Sequence, residues 1–135
     1  MTRRIILDLA VTLDGYIEGK NGETDWCIMD PEMGFNQFLD QIDTIIYGRQ
    51  SYDQWGQYVP GNDQSYDGAS LITSFINAGL VDEFRLSVHP VVLGEGKPLF
   101  IDIRQRLNLE LVRARTFSSG VVQVVYRYDE IEIVN

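Results

Sequence analysis

Apolar and polar residues in this chain follow the two periods of regular secondary structure, and strand-like runs lie near both ends. A strand is predicted over Arg4–Thr12, because apolar residues occupy most positions on both of its faces, as in a covered central strand. Three more strands are predicted late in the chain, and the turn Ser118-Ser119-Gly120 joins the last two as a hairpin. These strands cover Glu83–Leu93, Leu109–Phe117 and Val121–Tyr128.

Helical periodicity lies between these strands. Asp30-Pro31 predicts the start of a helix, because aspartate caps helices and proline suits the first helical position. Apolar residues then recur at helical spacing, at Phe35, Phe38, Leu39 and Ile42. A short strand is predicted over Thr44–Tyr47, and another helix over Gly68–Ala78, stopped by Gly79. Residues 13–29 predict a long, mobile loop of the kind that often carries function.

Strands interleaved with helices and followed by a terminal hairpin predict an α/β fold with helices on both faces of the sheet. The length, 135 residues, is most simply one domain covering residues 1–135. Sheets of this kind bind ligands beyond the carboxyl ends of their strands. A site is therefore expected where the first strands run into their loops.

The net charge of −9 argues against binding partners that are themselves strongly anionic. Phosphate contacts need clustered lysine and arginine, so this acidic chain is a poor candidate for binding nucleic acid or anionic membranes. No apolar run approaches the roughly 20 residues needed to span a bilayer. We expect a cytoplasmic protein that acts on a small molecule.

The one cysteine, Cys27, excludes an internal disulfide, and we interpret it as a partly buried neighbour of Trp26 rather than a nucleophile. The one histidine, His89, precedes a proline inside a predicted strand, and a structural role is favoured over catalysis. A single histidine and a distant cysteine do not make a zinc site. No metal is expected.

Three segments occur in a fixed order: LAVTLDGYIEG at Leu9–Gly19, YGRQSY at Tyr47–Tyr52, and the run Val81–Phe100 with its turn Gly94-Glu95-Gly96. Together they resemble the dihydrofolate reductase-like reductases, in particular the RibD C-terminal domain type of riboflavin biosynthesis. The resemblance covers nearly the whole chain. It implies a dihydrofolate reductase-like sheet with flanking helices and a C-terminal β-hairpin. It also implies a homodimer, NADPH as cofactor, and hydride transfer to a nitrogen heterocycle or a ribosylamino-pyrimidine.

Two carboxylates are candidate catalytic residues. In similar reductases a Leu-Asp-Gly motif follows the first strand, and here Asp14 lies at the matching place, where it could hydrogen-bond a heterocycle or a ribityl hydroxyl. The alternative is that Asp14 only builds the Asp-Gly turn. Asp30 corresponds to the acidic residue that holds the pterin ring in dihydrofolate reductases. A helix cap explains Asp30 equally well.

The resemblance also implies a set of cofactor-binding residues. A Gly-Arg pair at a strand–helix junction would bind phosphates through free backbone N–H groups and a bidentate guanidinium, although Arg49 could equally be a surface residue beside a turn. The chain departs from the family at Asp67, where a glycine is expected beside the second phosphate cradle. The implied cofactor contacts are Ala10 and Ile17 at the nicotinamide, and Gly48, Arg49, Ser51, Gly68 and Ala69 at the phosphates.

One central strand-helix-strand unit of the family is not recognisable in this sequence. It belongs between Tyr52 and Tyr66, where the shortfall is about 30 residues, the size of one such unit. In the family this unit supplies a turn that grips the adenosine 2′-phosphate. Three explanations stay open: a deletion in the gene, a printed sequence joined across an omitted stretch near Ser65-Tyr66, or a sheet completed by a second subunit. A dimeric relic or ligand-binding module without catalysis is the alternative function.

Overall fold

The computed structural model describes residues 4–42 and 68–128, and for residues 68–70 it describes the backbone only. Six strands and three helical segments lie in this part of the chain. The strands are β1 Ile6–Thr12, β2 Tyr16–Glu18, β3 Glu83–His89, β4 Lys97–Pro98, β5 Leu109–Thr116 and β6 Val122–Tyr128. The helical segments are a 3₁₀ helix Pro31–Met33, α1 Phe35–Leu39 and α2 Gly68–Asn77.

Four strands form the main sheet in the order β1-β3-β6-β5. β1 and β3 are parallel, with Leu9 opposite Leu86, whereas β6 pairs antiparallel with β3 and with β5. A separate antiparallel ribbon joins β2 to β4. The predicted α/β fold with a C-terminal hairpin is confirmed. No helix in residues 4–42 and 68–128 is both long and apolar enough to cross a membrane.

The main core lies between the sheet and α2. Phe84 on β3 is completely buried there, and Ile72 and Ile76 of α2 pack in the same cluster with Val11 and Leu99. The spacing of Ile72 and Ile76 places both side chains on one side of α2. Burying a phenylalanine of this kind stabilises a fold by about 1.5–3 kcal/mol. The packing fixes one face of β1 and β3 against α2.

The opposite side of the sheet is covered by α1 and carries the polar side chains. We call it the α1 face, and the strand registers define its members. They are Asp8, Ala10 and Thr12 of β1, Arg85, Ser87 and His89 of β3, Gln123 and Val125 of β6, and Arg113 and Arg115 of β5. Phe38 of α1 lies over the Arg85 guanidinium at 4.1 Å from the ring centroid. Buried polar groups beneath a helix are unusual in a core, and they make this face a candidate for the functional site.

The helix predicted from Asp30 onward is wrong in one respect, because the structure breaks it at Gly34. Gly34 adopts φ 67° and ψ 35°, a left-handed conformation that ends the 3₁₀ helix before α1 begins. Glycine adopts this conformation without the strain that a Cβ would cause. The apolar spacing gave the correct buried residue, Phe38, but did not show the change of direction.

Two other predicted boundaries also differ. β3 ends at His89 rather than Leu93, because Pro90 has no N–H and the N–H of Val91 donates instead to the carbonyl of His89 at 2.8 Å. The predicted loop of residues 13–29 contains the short strand β2. The predicted strand Thr44–Tyr47 lies outside the described residues.

Candidate functional site

The loop after β1 is held against the glycine-rich loop by one carboxylate. Asp14 accepts hydrogen bonds from the Thr12 hydroxyl at 2.6 Å and from the backbone N–H groups of Leu93 at 3.3 Å and Gly94 at 2.9 Å. These donors, the Thr12 hydroxyl first, hold the pKa of Asp14 below its ordinary value. The Asp14 side chain therefore stays ionised and joins two loops far apart in sequence.

Backbone contacts strengthen the same junction. Leu13 donates to the carbonyl of Val91, and Leu99 donates to the carbonyl of Gly15, both at 2.9 Å. Gly96 lies so close to β2 that a side chain at this position would overlap the carbonyl oxygen of Glu18. Residues 13–19 and 91–99 therefore form one assembly at the carboxyl end of β1, where the fold places ligands.

The Asp30 carboxylate joins the 3₁₀ helix to the β5–β6 hairpin. One oxygen accepts from the backbone N–H of Glu32 at 2.9 Å, as an N-cap does, and the other accepts from the Ser119 hydroxyl at 2.7 Å. Asp14 and Asp30 therefore have separate sets of partners. The structure shows the capping role of Asp30, and its predicted contact with substrate stays a prediction.

Of the predicted nicotinamide contacts, Ala10 lies on the α1 face opposite Ser87 of β3. It is partly exposed, and its side chain is small compared with its neighbours Asp8 and Thr12 on that face. Ile17 lies in β2 and packs against the α2-side core instead. A side chain as small as that of Ala10 would let a flat ring approach the sheet closely, and the nicotinamide contact stays a prediction.

The predicted phosphate contacts divide into two groups. Gly68 and Ala69 are the first residues of α2, where the backbone N–H groups of a helix have no intrahelical acceptor and favour an anion. Gly48, Arg49 and Ser51, together with Asp67, lie outside the described residues. The structure therefore agrees with a helix start at Gly68, and the phosphate contacts stay predictions.

His89 is a polar group at the end of β3 for which the sequence favoured a structural role. It is 2% exposed, its ring makes a T-shaped contact with the ring of Trp26 at 5.3 Å between centroids, and its Nδ1 lies 2.9 Å from the carbonyl oxygen of Ser87. Since a carbonyl only accepts, Nδ1 carries the proton. Nε2 is buried and has no hydrogen-bond partner among the described residues. The burial of the ring and its contacts agree with the structural role favoured by the sequence.

A buried ion pair lies on the same face, and the sequence analysis did not predict it. The Nε of Arg85 and a carboxylate oxygen of Asp8 are 3.7 Å apart, longer than a hydrogen bond. Burial raises the pKa of Asp8 to about 6, with Arg85 offsetting part of the effect. Burial likewise lowers the pKa of Arg85. The burial of both charges therefore outweighs their attraction. The alternation of residues on β1 placed Asp8 among polar positions, but its partner depended on the pairing with β3.

Cys27, in the loop after β2, carries a half-buried free thiol. Burial, with a smaller contribution from Asp25, raises the pKa of the half-buried Cys27 thiol, which disfavours the reactive thiolate. Within residues 4–42 and 68–128 no group of three or more histidine, cysteine or carboxylate side chains could hold a metal ion. The described part of the chain thus presents polar and cationic groups, without a metal-binding cluster.

Comparisons with known proteins define the class of this fold. Residues 67–123 match the family described as the RibD C-terminal domain. The uncharacterized protein YyaP of Bacillus subtilis (strain 168) is 54% identical, over 94% of this chain and 96% of the relative. This chain belongs to the RibD C-terminal domain family.

The same comparison bears on the missing unit. The alignment with YyaP spans 180 residues, which is 45 more than the 135 residues of this chain. An excess of this size is in the direction of the predicted shortfall, and it fits a deletion in the gene and a stretch omitted from the printed sequence equally well. The position of the shortfall between Tyr52 and Tyr66 stays a prediction, because that stretch is outside the described residues.

Solved structures support the fold. A protein from Shewanella sp. PV-4 assigned to riboflavin biosynthesis has a TM-score of 0.78 and 20% identity, covering 94% of this chain and 99% of that one. A diaminohydroxyphosphoribosylaminopyrimidine deaminase/5-amino-6-(5-phosphoribosylamino)uracil reductase from Thermotoga maritima has a TM-score of 0.71 and 11% identity, covering 93% of this chain and 56% of that one. At these identities the likeness concerns the fold.

Proposed function

We propose that this protein is an NADPH-dependent reductase that transfers hydride to a nitrogen heterocycle or a ribosylamino-pyrimidine, and that it acts as a cytoplasmic homodimer with one domain per chain. The observation that carries the proposal is the position of Ala10. It provides a small, partly exposed surface on the polar α1 face, directly beside the loop assembly that Asp14 holds together. Family membership supports the same function.

When bound, NADPH supplies the hydride from its nicotinamide ring, and the protein supplies orientation and exclusion of water. Ala10 would border the ring, whereas Ile17, whose side chain packs against the α2-side core, stays a predicted contact. Gly48, Arg49 and Ser51 would hold the phosphates together with the N-terminal backbone of α2 at Gly68 and Ala69. The loop assembly of residues 13–19 and 91–99 would shield the ring from solvent.

The polar groups of the α1 face suit a substrate with several hydrogen-bonding atoms. Ser87 lies opposite Ala10, and it belongs to a buried polar layer with Gln123 and His89. Asp14 and Asp30 are proposed to face the substrate, and hydrogen-bond donors already hold both carboxylates in place. Such prior orientation lowers the free energy needed to arrange a reaction.

A dimeric ligand-binding module without turnover is the second candidate. A deletion in the gene relative to YyaP would favour it, since in the family the corresponding unit grips the adenosine 2′-phosphate. Asp67 favours it too, because a carboxylate beside a pyrophosphate repels it. A flavin- or folate-binding protein is a third reading, which a yellow colour of the purified protein would support.

The deciding experiment measures NADPH binding first and NADPH oxidation afterwards. NADPH should raise the melting temperature of the wild type, as any ligand of the native state does. Arg49→Ala should lower NADPH affinity at low salt, whereas Arg4→Ala, an equal change of charge at an exposed arginine paired with Glu83, should not. Stabilisation with no NADPH oxidation on heterocyclic substrates would support the binding module. No stabilisation, or unchanged affinity of Arg49→Ala, would contradict the reductase assignment.

A further inference from the structure

We infer that the α1 face contains an anion-binding subsite formed by Arg85, Arg113 and Arg115, which receives one acidic group of the substrate, a phosphate or a carboxylate. The inference rests on the proposed function for the identity of the substrate, but the subsite is argued from its own geometry. The three side chains line one cleft of about 170 Å³ beneath α1. At roughly 30 Å³ per water molecule, the cleft has room for about the five heavy atoms of a phosphate group.

The subsite depends on a β-bulge in β5. Leu111 faces Tyr126 of β6, but the next paired residue is Arg113, opposite Val125, so Val112 is an extra residue. A bulge of this kind reverses which side of the sheet the following residues face. Without it, Arg113 and Arg115 would lie on the α2 side. The bulge therefore places two exposed arginines on the same face as Arg85.

Arg85 supplies the buried cation. The residue is only 9% exposed, and its Nε has no hydrogen-bond partner in the described structure. The Asp8 carboxylate, at 3.7 Å, is too far for a hydrogen bond. A buried guanidinium without a full set of acceptors is costly, and an anion in the cleft would provide them.

The other groups around the cleft are suited to an anion as well. None of the described residues that line it is acidic, and three of them are glutamines, whose amide groups can donate hydrogen bonds. Arg115 lies over the ring of Phe117 at 4.8 Å, which restrains its position. The charges of Arg113 and Arg115 act unfavourably on Arg85, whereas those of Asp8 and Glu83 act favourably. Three arginines around one cleft favour the binding of an anionic group.

The location of the cleft connects it to the proposed hydride-transfer site. Ala10, Ser87, Gln123 and Arg115 form one row across the sheet, each opposite the next. Three strand spacings of about 4.8 Å separate the two ends, roughly 14 Å in all. A substrate that places its reducible ring at Ala10 and its acidic group at the arginines must therefore span about 14 Å.

Inorganic phosphate is the probe, titrated by calorimetry at constant ionic strength against the full chain, with and without saturating NADPH. We expect binding that Arg113→Gln and Arg115→Gln each weaken by at least about tenfold, the loss typical of a charge-assisted contact. Arg127→Gln is the matched control, because Arg127 is an exposed arginine of β6 paired with Glu110. It should change phosphate affinity by less than about twofold.

The outcomes separate this inference from the proposed function. Failure of NADPH to bind would contradict the reductase but leave the phosphate result intact. The subsite would be overturned by an absence of phosphate binding, by equal losses in Arg127→Gln, or by competition between phosphate and NADPH at this cleft. Acetate in place of phosphate distinguishes the two acidic groups. Tighter binding of acetate would assign the subsite to a carboxylate, and tighter binding of phosphate would assign it to a phosphate.

Discussion

The carboxylate of Asp14 accepts the backbone N–H of Gly94 at 2.9 Å, and this contact joins the loop after β1 to the glycine-rich loop after β3. The two residues are eighty positions apart in the chain. The Asp14 hydrogen bonds therefore stabilise the assembly that would cover a ligand on the α1 face, and they belong to the tertiary structure rather than to a local turn alone.

Asp14→Asn should loosen this assembly, because the amide replaces one accepting oxygen with a donor that cannot bond the same N–H groups. We expect faster hydrogen exchange at the Leu93 and Gly94 amides. In the proposed reductase, kcat/KM should fall by about tenfold to a hundredfold, because small displacements of the groups around the reacting atoms cause losses of this size. Glu95→Gln in the same loop is the control. Unchanged exchange at the two amides would show that the contact is not needed to order the loop.

Gly96→Ala should destabilise the protein more than Gly94→Ala. Both glycines have positive φ, 155° and 81°, so an alanine at either position would be strained by about 1–2 kcal/mol. A Cβ at position 94 would meet nothing within 4 Å, whereas a Cβ at position 96 would overlap the Glu18 carbonyl and approach the Tyr16 ring at 3.3 Å. Urea unfolding of both variants measures the difference, and we expect at least about 1 kcal/mol more for Gly96→Ala. Equal losses in the free energy of unfolding would mean that β2 can move away from the added Cβ without a loss of stability.

Asp8 should make stability depend on pH in the unusual direction for a carboxylate. Its folded pKa is about 6, above the ordinary value of 3.8, so the folded state holds the proton more tightly. The contribution of Asp8 to the free energy of unfolding therefore falls as pH rises from about 4 to about 6, by up to about 3 kcal/mol, and stays at its lower level above that window.

Asp8→Asn removes this titration. The stability of the variant relative to wild type should therefore increase as pH rises from about 4 to about 6. The charge left on Arg85 contributes an offset that does not vary with pH, because arginine stays protonated throughout. Urea denaturation at several pH values measures the trend. Parallel stability curves for the two proteins across this range would contradict the raised pKa.

The shortfall relative to YyaP can be tested by mass. Trypsin cleaves after Arg49 and next after Arg85, so one peptide, Gln50–Arg85, spans the predicted junction. We expect this peptide at the mass of the printed sequence, and the printed chain at 15.4 kDa. A peptide several kilodaltons heavier would mean that a segment was omitted. It would also restore the unit that in the family grips the adenosine 2′-phosphate, and thereby favour the reductase over the binding module.

Sequence patterns predicted the strands well and the junctions between segments less well. The alternation in β6 and the run in β3 identified both strands, because each residue's side of a strand depends on its immediate neighbours. The break at Gly34 and the ribbon of β2 with β4 were not predicted. Gly34 lies within an apolar spacing that a continuous helix also satisfies, and β2 exists through its pairing with a segment far along the chain.

Some residues of the candidate site could likewise be predicted from the sequence, and others could not. The Asp14 turn and the Asp30 cap could be read from short motifs, because both depend on nearby donors. The cluster of Arg85, Arg113 and Arg115 could not, since it depends on the register of β5 with β6 and on a bulge that no local pattern marks.

The sequence by itself determined the α/β class, the resemblance to the RibD C-terminal domain and the shortage of a central unit, because periodicity, short motifs and their spacing are properties of the chain. The tertiary structure alone decided which polar residues share a surface. Asp8, Arg85 and Arg115 come from three strands, and their proximity follows from strand pairing and from the burial of the opposite face against α2. Long-range packing thus placed charged side chains from separate strands beneath α1.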